Sequence, residues 1–134
     1  MKKYLLDSSV VVDYTKGKSK AVNAVNILEG EVYSSYIVMA ELYEGIIRSE
    51  NEVEEDIVGF LESLDGIVGV DKATSKQFGI IRAYLKKRGE IIEDMDIMIA
   101  ATCISNNLIL ITSNKKHFQR VKGLEVLSPE DFEN

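Results

Sequence analysis

The sequence of 134 residues contains few of the residue types that build covalent or multi-histidine sites. It has one cysteine, Cys103, one histidine, His117, one proline and no tryptophan. A lone cysteine cannot close an intramolecular disulfide or form a thiolate cluster, so we expect a buried thiol in a reducing compartment. A single histidine excludes metal sites that need several imidazole ligands.

Long apolar runs and an excess of positive charge are also missing. The longest apolar stretches, around Ile97–Ile104 and Leu108–Ile111, are far shorter than the roughly 20 residues that span a bilayer. Asp7 and Asp13 interrupt the apolar stretch after the basic start, so a secretory signal is not expected. The formal charge of -6 excludes a basic coat protein for nucleic acid. We expect a cytoplasmic protein without a membrane segment, whose contact with nucleic acid is local.

Short apolar segments typical of strands alternate with longer segments of helical periodicity. The predicted strands are Lys3–Leu6, Glu31–Ser34, Ile67–Val70, Leu108–Thr112 and Glu125–Leu127. Because parallel neighbours need a long connection, this alternation predicts an α/β fold with a parallel sheet of about five strands, in one domain over residues 1–134. The run LILI has no polar alternation, which is typical of a central strand covered by helices on both faces.

Helix ends are predicted from residues that commonly cap helices. The expected N-caps are Ser19, Asp71 and Asp94, and the expected helix stops are Gly30, Gly89 and the pair Asn106 and Asn107. The segment Asp94–Asn106 is apolar over most of its circumference, which predicts a buried helix. The acidic run Glu52–Asp56 is expected at the solvated face or first turn of another helix.

Four acidic residues lie after predicted strands or at the start of the buried helix. Asp7 directly follows the first strand, Glu41 lies in the apolar helix after the second, and Asp94 and Asp96 open the buried helix. Ligands of open parallel α/β sheets bind at the carboxyl ends of the strands. We therefore expect these carboxylates to meet the polar segment 112–114, which follows the run LILI, at one corner of the fold.

Several carboxylates in one cleft require a cation, because like charges a few ångströms apart would otherwise force protonation. Oxygen ligands without a cysteine or histidine pair favour Mg²⁺ or Mn²⁺ over zinc. Such ions typically pair with substrate phosphates, so hydrolysis of a phosphodiester is the predicted chemistry. A structural interpretation stays open here, in which Asp94 only caps a helix and Glu41 pairs with a lysine.

Other candidates carry a weaker signal. His117 is expected to be a surface or packing histidine, because no acid or nucleophile accompanies it in the sequence. The basic clusters at 16–20, 86–88 and 115–116 are expected to be solvated helix ends. Lys115 and Lys116 directly follow the expected site, so they are the best placed to touch a phosphate backbone.

Four short sequence motifs follow one another along the chain between Lys3 and about Leu127. They are LLDSS at the first strand, VMAELYEGI around Glu41, DMDIMIAA around Asp96, and LILITSNKKHF. Together they resemble a PIN-domain nuclease of the VapC toxin type. The resemblance implies a single PIN domain with a three-layer α/β/α sandwich around a parallel sheet. It also implies Mg²⁺- or Mn²⁺-dependent cleavage of RNA.

The same resemblance implies roles for individual residues. The implied acids of the metal and catalytic site are Asp7, Glu41 and Asp96, with Asp94 as an additional acid. Ser9 and Thr112 resemble the hydroxyl residues that help to hold such a site. The sequence departs from the family's most acidic pattern at Asn114, where many relatives carry aspartate. This departure removes one charge and weakens the case for a tightly bound second metal ion.

The resemblance further implies a toxin that cleaves RNA within translation, a small antitoxin that neutralises it, and a homodimer. Two alternatives remain open at this point. One keeps the PIN nuclease and assigns it to RNA processing or maturation. The other is a phosphoreceiver domain with Asp71 as phosphoacceptor, although it lacks paired acids beside Asp7 and a lysine after the last strand.

Overall fold

Five strands and seven α-helices alternate along residues 1–50 and 53–133, which are the residues that the computed structural model describes. The strands are β1 (Lys3–Leu6), β2 (Glu31–Ser35), β3 (Gly66–Val68), β4 (Ile109–Ile111) and β5 (Val126–Leu127). The helices are α1 (Ser8–Thr15), α2 (Ser19–Ile27), α3 (Tyr36–Arg48), α4 (Glu54–Glu62), α5 (Lys72–Arg88), α6 (Asp94–Asn106) and α7 (Lys115–Phe118). A 3₁₀ turn over Pro129–Phe132 follows β5.

The strands form one sheet in the order β3-β2-β1-β4-β5, and every neighbouring pair is parallel. Connections between parallel strands are right-handed in almost all proteins, so α1–α4 cover one face and α5–α7 cover the other. Leu5 and Leu6 of β1 and Leu110 and Ile111 of β4 have no exposed surface. The predicted α/β/α sandwich with a parallel sheet of five strands is confirmed.

The site-bearing edge of the sheet lies where the chain changes direction between β1 and β4. From β1 the chain adds β2 and then β3 on one side of the sheet. It then returns to add β4 and β5 on the other side of β1. Leu6 at the end of β1 pairs with Ile111 at the end of β4, so Asp7 and Thr112 leave the sheet side by side. Crevices at such switch points are the usual ligand sites of open α/β sheets.

Strand and helix bounds differ from the sequence prediction in a few places. Strand β1 and helix α6 have the predicted bounds, and the other strands differ by one or two residues at an end. Asp71 caps α5, as predicted, by accepting the backbone N–H of Thr74 at 2.9 Å. Ser19 and Asp94 are instead the first residues of their helices, after the cap positions Lys18 and Glu93.

The predicted helix stops are confirmed at two of three places. Gly89 and Asn107 end α5 and α6 in the left-handed conformation. Helix α2 already ends at Ile27, so its predicted stop at Gly30 is wrong. Gly30 has φ 145°, and a Cβ atom there would collide with the carbonyl oxygen of Lys2. This glycine is therefore required by the close approach of two chain segments at the start of β2.

Three further expectations concern single features of the chain. Cys103 is buried, and burial raises the pKa of its thiol. Glu54, Glu55 and Asp56 form the first turn of α4, as predicted, whereas Glu52 lies outside the described residues. Across the described helices, none is long and apolar enough to cross a membrane.

Candidate active site

Asp7 is held at the carboxyl end of β1 and caps helix α1. Its carboxylate accepts the backbone N–H of Ser8 at 2.8 Å and the hydroxyl of Thr112 at 2.6 Å. Asp7 is 6% exposed and Thr112 has no exposed surface. Burial raises the pKa of Asp7 and the charge of Asp96 adds to this, while the bonds from Thr112 and Ser8 oppose it. Asp7 is therefore a buried acid whose charge needs compensation.

Glu41 approaches the same region from helix α3 on one face of the sheet. The hydroxyl of Ser8 donates to Glu41 Oε1 at 3.3 Å. Burial raises the pKa of Glu41 to about 7, and the negative charges of Asp7 and Asp96 add to the effect. Ser8 bonds to both Asp7 and Glu41, and the charges of Asp7 and Asp96 act on Glu41, so the three carboxylates lie near one another in what we call the acidic cleft. Glu41 is the member whose protonation changes near neutral pH.

Asp96 reaches the cleft from the first turn of helix α6. Burial raises its pKa, and the contact with His117 opposes this rise. His117 Nε2 of α7 lies 3.0 Å from Asp96 Oδ2. His117 packs against Phe118, in line with the expected packing role. The expectation that it lacks an acidic partner is wrong, because the fold supplies Asp96. No local signal could have found this pair, since 21 residues separate the two.

The segment after β4 connects the hydroxyl residues of the site. The backbone N–H of Ser113 donates to Ser9 Oγ at 3.1 Å, and the N–H of Asn114 donates to Thr112 Oγ1 at 3.0 Å. Ser9 also hydrogen-bonds to Asp7, which lowers the pKa of that carboxyl against the larger effect of burial. Thr112 thus bridges Asp7 and the turn that carries the exposed Asn114. These contacts support the positioning roles implied for Ser9 and Thr112.

Two predicted site residues have other partners. Asp94 accepts a hydrogen bond from Arg82 Nε at 2.9 Å, and its side chain is 64% exposed. Lys115 Nζ donates to Asp131 Oδ2 at 2.9 Å, so this lysine ties α7 to the C-terminal turn. Asp94 therefore does not lie in the acidic cleft. The ammonium of Lys115 is engaged in an ion pair with Asp131 within the chain.

A cavity of about 350 Å³ opens beside Glu41 between helices α1 and α3. Its walls combine apolar side chains with hydroxyl and charged groups, namely Ser8, Ser9, Val12, Leu42, Gly45 and Arg48. Such a mixture of apolar walls and few polar groups is typical of ligand clefts. Of the three acids, Glu41 lines this cavity, so Glu41 is accessible from outside along the α1 and α3 side.

The donor set of the cleft fits a hard divalent cation. Its three carboxylates offer only oxygen, and burial raises the pKa of each because it disfavours the charged form. In the described ranges, no three ligand-type side chains form a ready-made metal cage. Mg²⁺ seldom uses such cages, because it commonly binds one or two carboxylates and keeps water and substrate phosphates. Asp7 and Asp96 therefore fit a magnesium-type site that substrate completes.

Asp71, the acceptor in the phosphoreceiver alternative, lies outside this cleft. It follows β3, an edge strand that β2 separates from β1. Its carboxylate accepts the N–H of Thr74, and this bond lowers the pKa of Asp71. Asp71 therefore acts as a helix cap, and the phosphoreceiver interpretation loses its central residue.

The sequence is similar to those of known ribonucleases. The sequence model of the PIN domain family matches residues 4–124, a range that includes every candidate site residue. Ribonuclease VapC1 of Methanocaldococcus jannaschii is 39% identical over 126 residues, which cover 92% of this chain and 86% of the relative. The tRNA(fMet)-specific endonuclease VapC of Shigella flexneri is 32% identical over 127 residues, which cover 92% and 96% of the two chains.

The fold is similar to the folds of solved toxin–antitoxin complexes. A chain of VapBC2 from Rickettsia felis, solved bound to a DNA fragment from its promoter, superposes with a TM-score of 0.85 at 27% identity. That match covers 94% of this chain and 98% of the other. A chain of VapBC-1 from nontypeable Haemophilus influenzae has a TM-score of 0.81 at 27% identity, and the match covers 96% and 98% of the two chains.

Proposed function

Since this chain belongs to the PIN domain family, we propose that it is a divalent-metal-dependent ribonuclease that hydrolyses RNA phosphodiester bonds. The observation that carries the proposal is the gathering of Asp7, Glu41 and Asp96 at one edge of the sheet, where burial raises all three pKa values and the charges of Asp7 and Asp96 raise that of Glu41 further. The relatives named as ribonucleases support RNA as the substrate class.

Mg²⁺ or Mn²⁺ is the cofactor that we propose for this site. Asp7 and Asp96 would hold the ion, with Glu41 beside them. When bound, such an ion orients and activates water and neutralises charge on the transferring phosphorus. Asp94 faces Arg82, so we assign it at most an indirect electrostatic role.

The remaining contacts position these acids. Thr112 and the N–H of Ser8 fix the carboxylate of Asp7, and His117 fixes that of Asp96. Hydrogen bonds of this kind hold functional groups in one orientation, which is what precise placement of substrate requires. The cleft is therefore arranged before substrate arrives.

Glu41 is the group that we assign to proton transfer. A general base works best when its pKa lies near the working pH, and the pKa of Glu41 is raised to about 7. Its carboxylate would accept the proton of the attacking water. The hydroxyl of Ser8 at Glu41 Oε1 keeps that side chain turned towards the cleft.

For the biological role we propose the toxin of a toxin–antitoxin pair that inhibits translation. The support comes from the similarity to chains of VapBC complexes. The proposal implies a small antitoxin as partner and action in the cytoplasm, where translation takes place. A homodimer, which the resemblance implies, remains a prediction to be checked by sedimentation.

The enzymatic proposal is tested by RNA cleavage with and without metal. We expect cleavage with Mg²⁺ or Mn²⁺ and none in excess EDTA. Asp7→Asn, Glu41→Gln and Asp96→Asn should each lower the rate by at least about 100-fold, whereas the exposed Asp94→Asn should retain most of it. Undiminished cleavage in EDTA, or in all three cleft variants, would contradict the proposal.

The toxin role is tested by expression in a bacterial host. Induction should arrest growth, Asp7→Asn should remove the arrest, and co-expression of a short reading frame adjoining the gene should restore growth. A protein that cleaves RNA but never arrests growth would instead favour RNA processing or maturation.

A further inference from the structure

Helix α5 carries a concentration of positive charge that the proposed cleavage site does not use. It contains six lysine and arginine residues and no acidic residue, although the whole chain has a formal charge of -6. Ion pairs involve two of the six, because Arg82 contacts Asp94 at 2.9 Å and Arg88 contacts Glu90 at 2.8 Å. Within the part of the chain that the structure describes, four have no ion pair: Lys72, Lys76, Lys86 and Lys87.

The helix dipole explains only part of this charge. Lys86, Lys87 and Arg88 lie in the last turn of α5, where the dipole favours cations. Lys72 opens the helix, where a cation is disfavoured, and Lys76 lies one turn later. Because no carboxylate of the described chain pairs with these two lysines, an external anion would stabilise them.

Three of the lysines share one side of α5 with two exposed apolar side chains. Lys72, Lys76, Ile80 and Tyr84 follow at four-residue spacing, and Lys87 comes three residues after Tyr84. Residues three and four apart are neighbours on a helix surface. Ile80 is 52% exposed and Tyr84 is 38% exposed. These five residues form a surface that we name the α5 face.

A small cavity of about 130 Å³ adjoins the α5 face. It is bounded by Gln77, Ile80 and Tyr84 on one side and by Lys122 on the other. The guanidinium of Arg88 lies 5.4 Å from the centroid of the Tyr84 ring, a cation–π distance. The Tyr84 ring thus lies beside two cations, Arg88 and Lys122, and aromatic rings among cations are typical of surfaces that bind single-stranded nucleic acid.

Helix α5 packs alongside α6, whose first turn carries Asp96 of the cleavage site. Arg82 of α5 holds Asp94 in the first turn of α6, two residues before Asp96. Lys122 follows helix α7, whose His117 contacts Asp96. Arg82 is two residues from both Ile80 and Tyr84, so it projects from the other side of α5. An RNA strand that is cleaved at Asp96 therefore has to pass around α5 to reach the α5 face.

We propose that the α5 face binds the single-stranded RNA substrate. Phosphates contact Lys72, Lys76 and Lys87, and a base packs against Tyr84 and Ile80. The proposal rests on the ribonuclease function and names the surface that holds the substrate outside the cleft. The positive charge favours this occupant. A second copy related by a twofold axis would bring both sets of lysines into one interface, whereas phosphates complement them.

The test is RNA binding in EDTA, which separates binding from cleavage. A fluorescein-labelled single-stranded RNA is titrated at several salt concentrations and followed by anisotropy. The triple variant Lys72→Gln, Lys76→Gln, Lys87→Gln removes the cations of the α5 face. The control Lys2→Gln, Lys3→Gln, Lys20→Gln makes the same charge change at the amino end of β1 and on α2, where Lys3 and Lys20 are paired with glutamates.

The triple variant should bind RNA about tenfold or more weakly, and its salt dependence should fall by a slope of about 2, because each phosphate contact of a single strand contributes about 0.7. The control variant should bind like the parent. Tyr84→Ala should weaken binding about tenfold, the loss expected for one stacked base, without changing the slope, and Tyr84→Phe should not.

Parent-like affinity and slope in the triple variant would overturn the proposal. The proposal also fails if this variant binds RNA normally but loses self-association or antitoxin binding, because the α5 face would then be a protein interface. A parent that binds RNA through the α5 face and cleaves none with Mg²⁺ or Mn²⁺ contradicts only the ribonuclease proposal.

Discussion

His117 Nε2 lies 3.0 Å from Asp96 Oδ2 and joins helix α7 to the first turn of α6 within the acidic cleft. The imidazole also contacts the buried ring of Phe118 edge-on, with 5.9 Å between centroids. Packing on one side and a hydrogen bond on the other fix the ring. The histidine therefore orients one of the carboxylates to which we assign metal binding.

We predict that His117→Ala lowers both cleavage and the affinity for Mn²⁺ by about 10- to 100-fold, the usual cost of removing a group that orients a metal ligand. His117→Gln keeps a hydrogen-bond donor for Asp96 and should recover most of both. Calorimetric titration with Mn²⁺ measures the affinity without relying on turnover. If alanine leaves both quantities unchanged, the contact has no positioning role.

The raised pKa of Glu41 predicts how the stability of the metal-free protein depends on pH. The pKa is about 7 in the folded protein and 4.5 as the ordinary value, so the folded state binds more protons than the unfolded state between these values. Stability should therefore fall as pH rises from about 4.5 to about 7. Asp7 and Asp96 act in the same direction, because their pKa values are raised too.

Urea unfolding in EDTA at pH 5 and pH 8 checks this dependence. Glu41→Gln should reduce the loss of stability, whereas Glu44→Gln, on the exposed side of the same helix, should leave it in place. Added Mg²⁺ should restore stability at pH 8, because it compensates the ionised carboxylates. Equal stability of the parent at both pH values would contradict the raised pKa that we assign to Glu41.

Asn114 sits where a more acidic site would carry aspartate. Its N–H is bonded to Thr112, whose hydroxyl is bonded to Asp7. If its amide replaces a charged ligand, Asn114→Asp should tighten divalent metal binding and lower the Mg²⁺ concentration needed for cleavage. Asn114→Ala should leave the first ion on Asp7 and Asp96. Mn²⁺ titrations that do not distinguish the three proteins would make Asn114 a turn residue only.

The ion pair between Lys115 and Asp131 predicts different roles for two neighbouring lysines. Asp131 also accepts the backbone N–H of Ser128 at 2.8 Å, so Asp131→Asn should cost about 1 kcal/mol of unfolding free energy, as the loss of a cap does. Lys115→Gln should cost less, as surface ion pairs do.

Lys116 is exposed. Of the two lysines 115 and 116, it is the one that we expect to contact the RNA backbone. Lys116→Gln should leave urea unfolding unchanged and weaken RNA binding, which anisotropy measures. The assignment is reversed if Lys115→Gln has the larger effect on RNA affinity and Lys116→Gln the larger effect on stability.

Much of the fold follows from local sequence patterns. Strand β1 and helix α6 have their predicted bounds. The apolar run before Asp7 and the apolar residues around most of the helix before Asn107 can be recognised from the sequence alone. The errors at Ser19 and Asp94 are shifts of one residue at helix starts, where capping and first-turn positions favour similar residues. The prediction that Gly30 ends helix α2 is wrong because the group that requires a glycine there, the carbonyl of Lys2, is distant in sequence.

The roles of Asp7, Glu41 and Asp96 as metal and catalytic residues remain predictions, but their meeting in one cleft is now a structural finding. Local position predicted it, since Asp7 follows β1, Glu41 lies in the helix after β2 and Asp96 lies in the first turn of α6. Asp94 shows the limit of such reasoning. Two residues along a helix correspond to a rotation of about 200°, so Asp94 and Asp96 point to different sides and only one enters the cleft.

By itself the sequence determined the element order, the parallel sheet and the edge where the acids gather, because side-chain periodicity and the need for long crossovers are local properties. Only the tertiary structure decided which polar groups hold those acids. Thr112 reaches Asp7 across 105 residues because Leu6 pairs with Ile111, and His117 reaches Asp96 across 21 residues. Pairing register and helix rotation depend on the packing of the whole chain, so no window of sequence contains them.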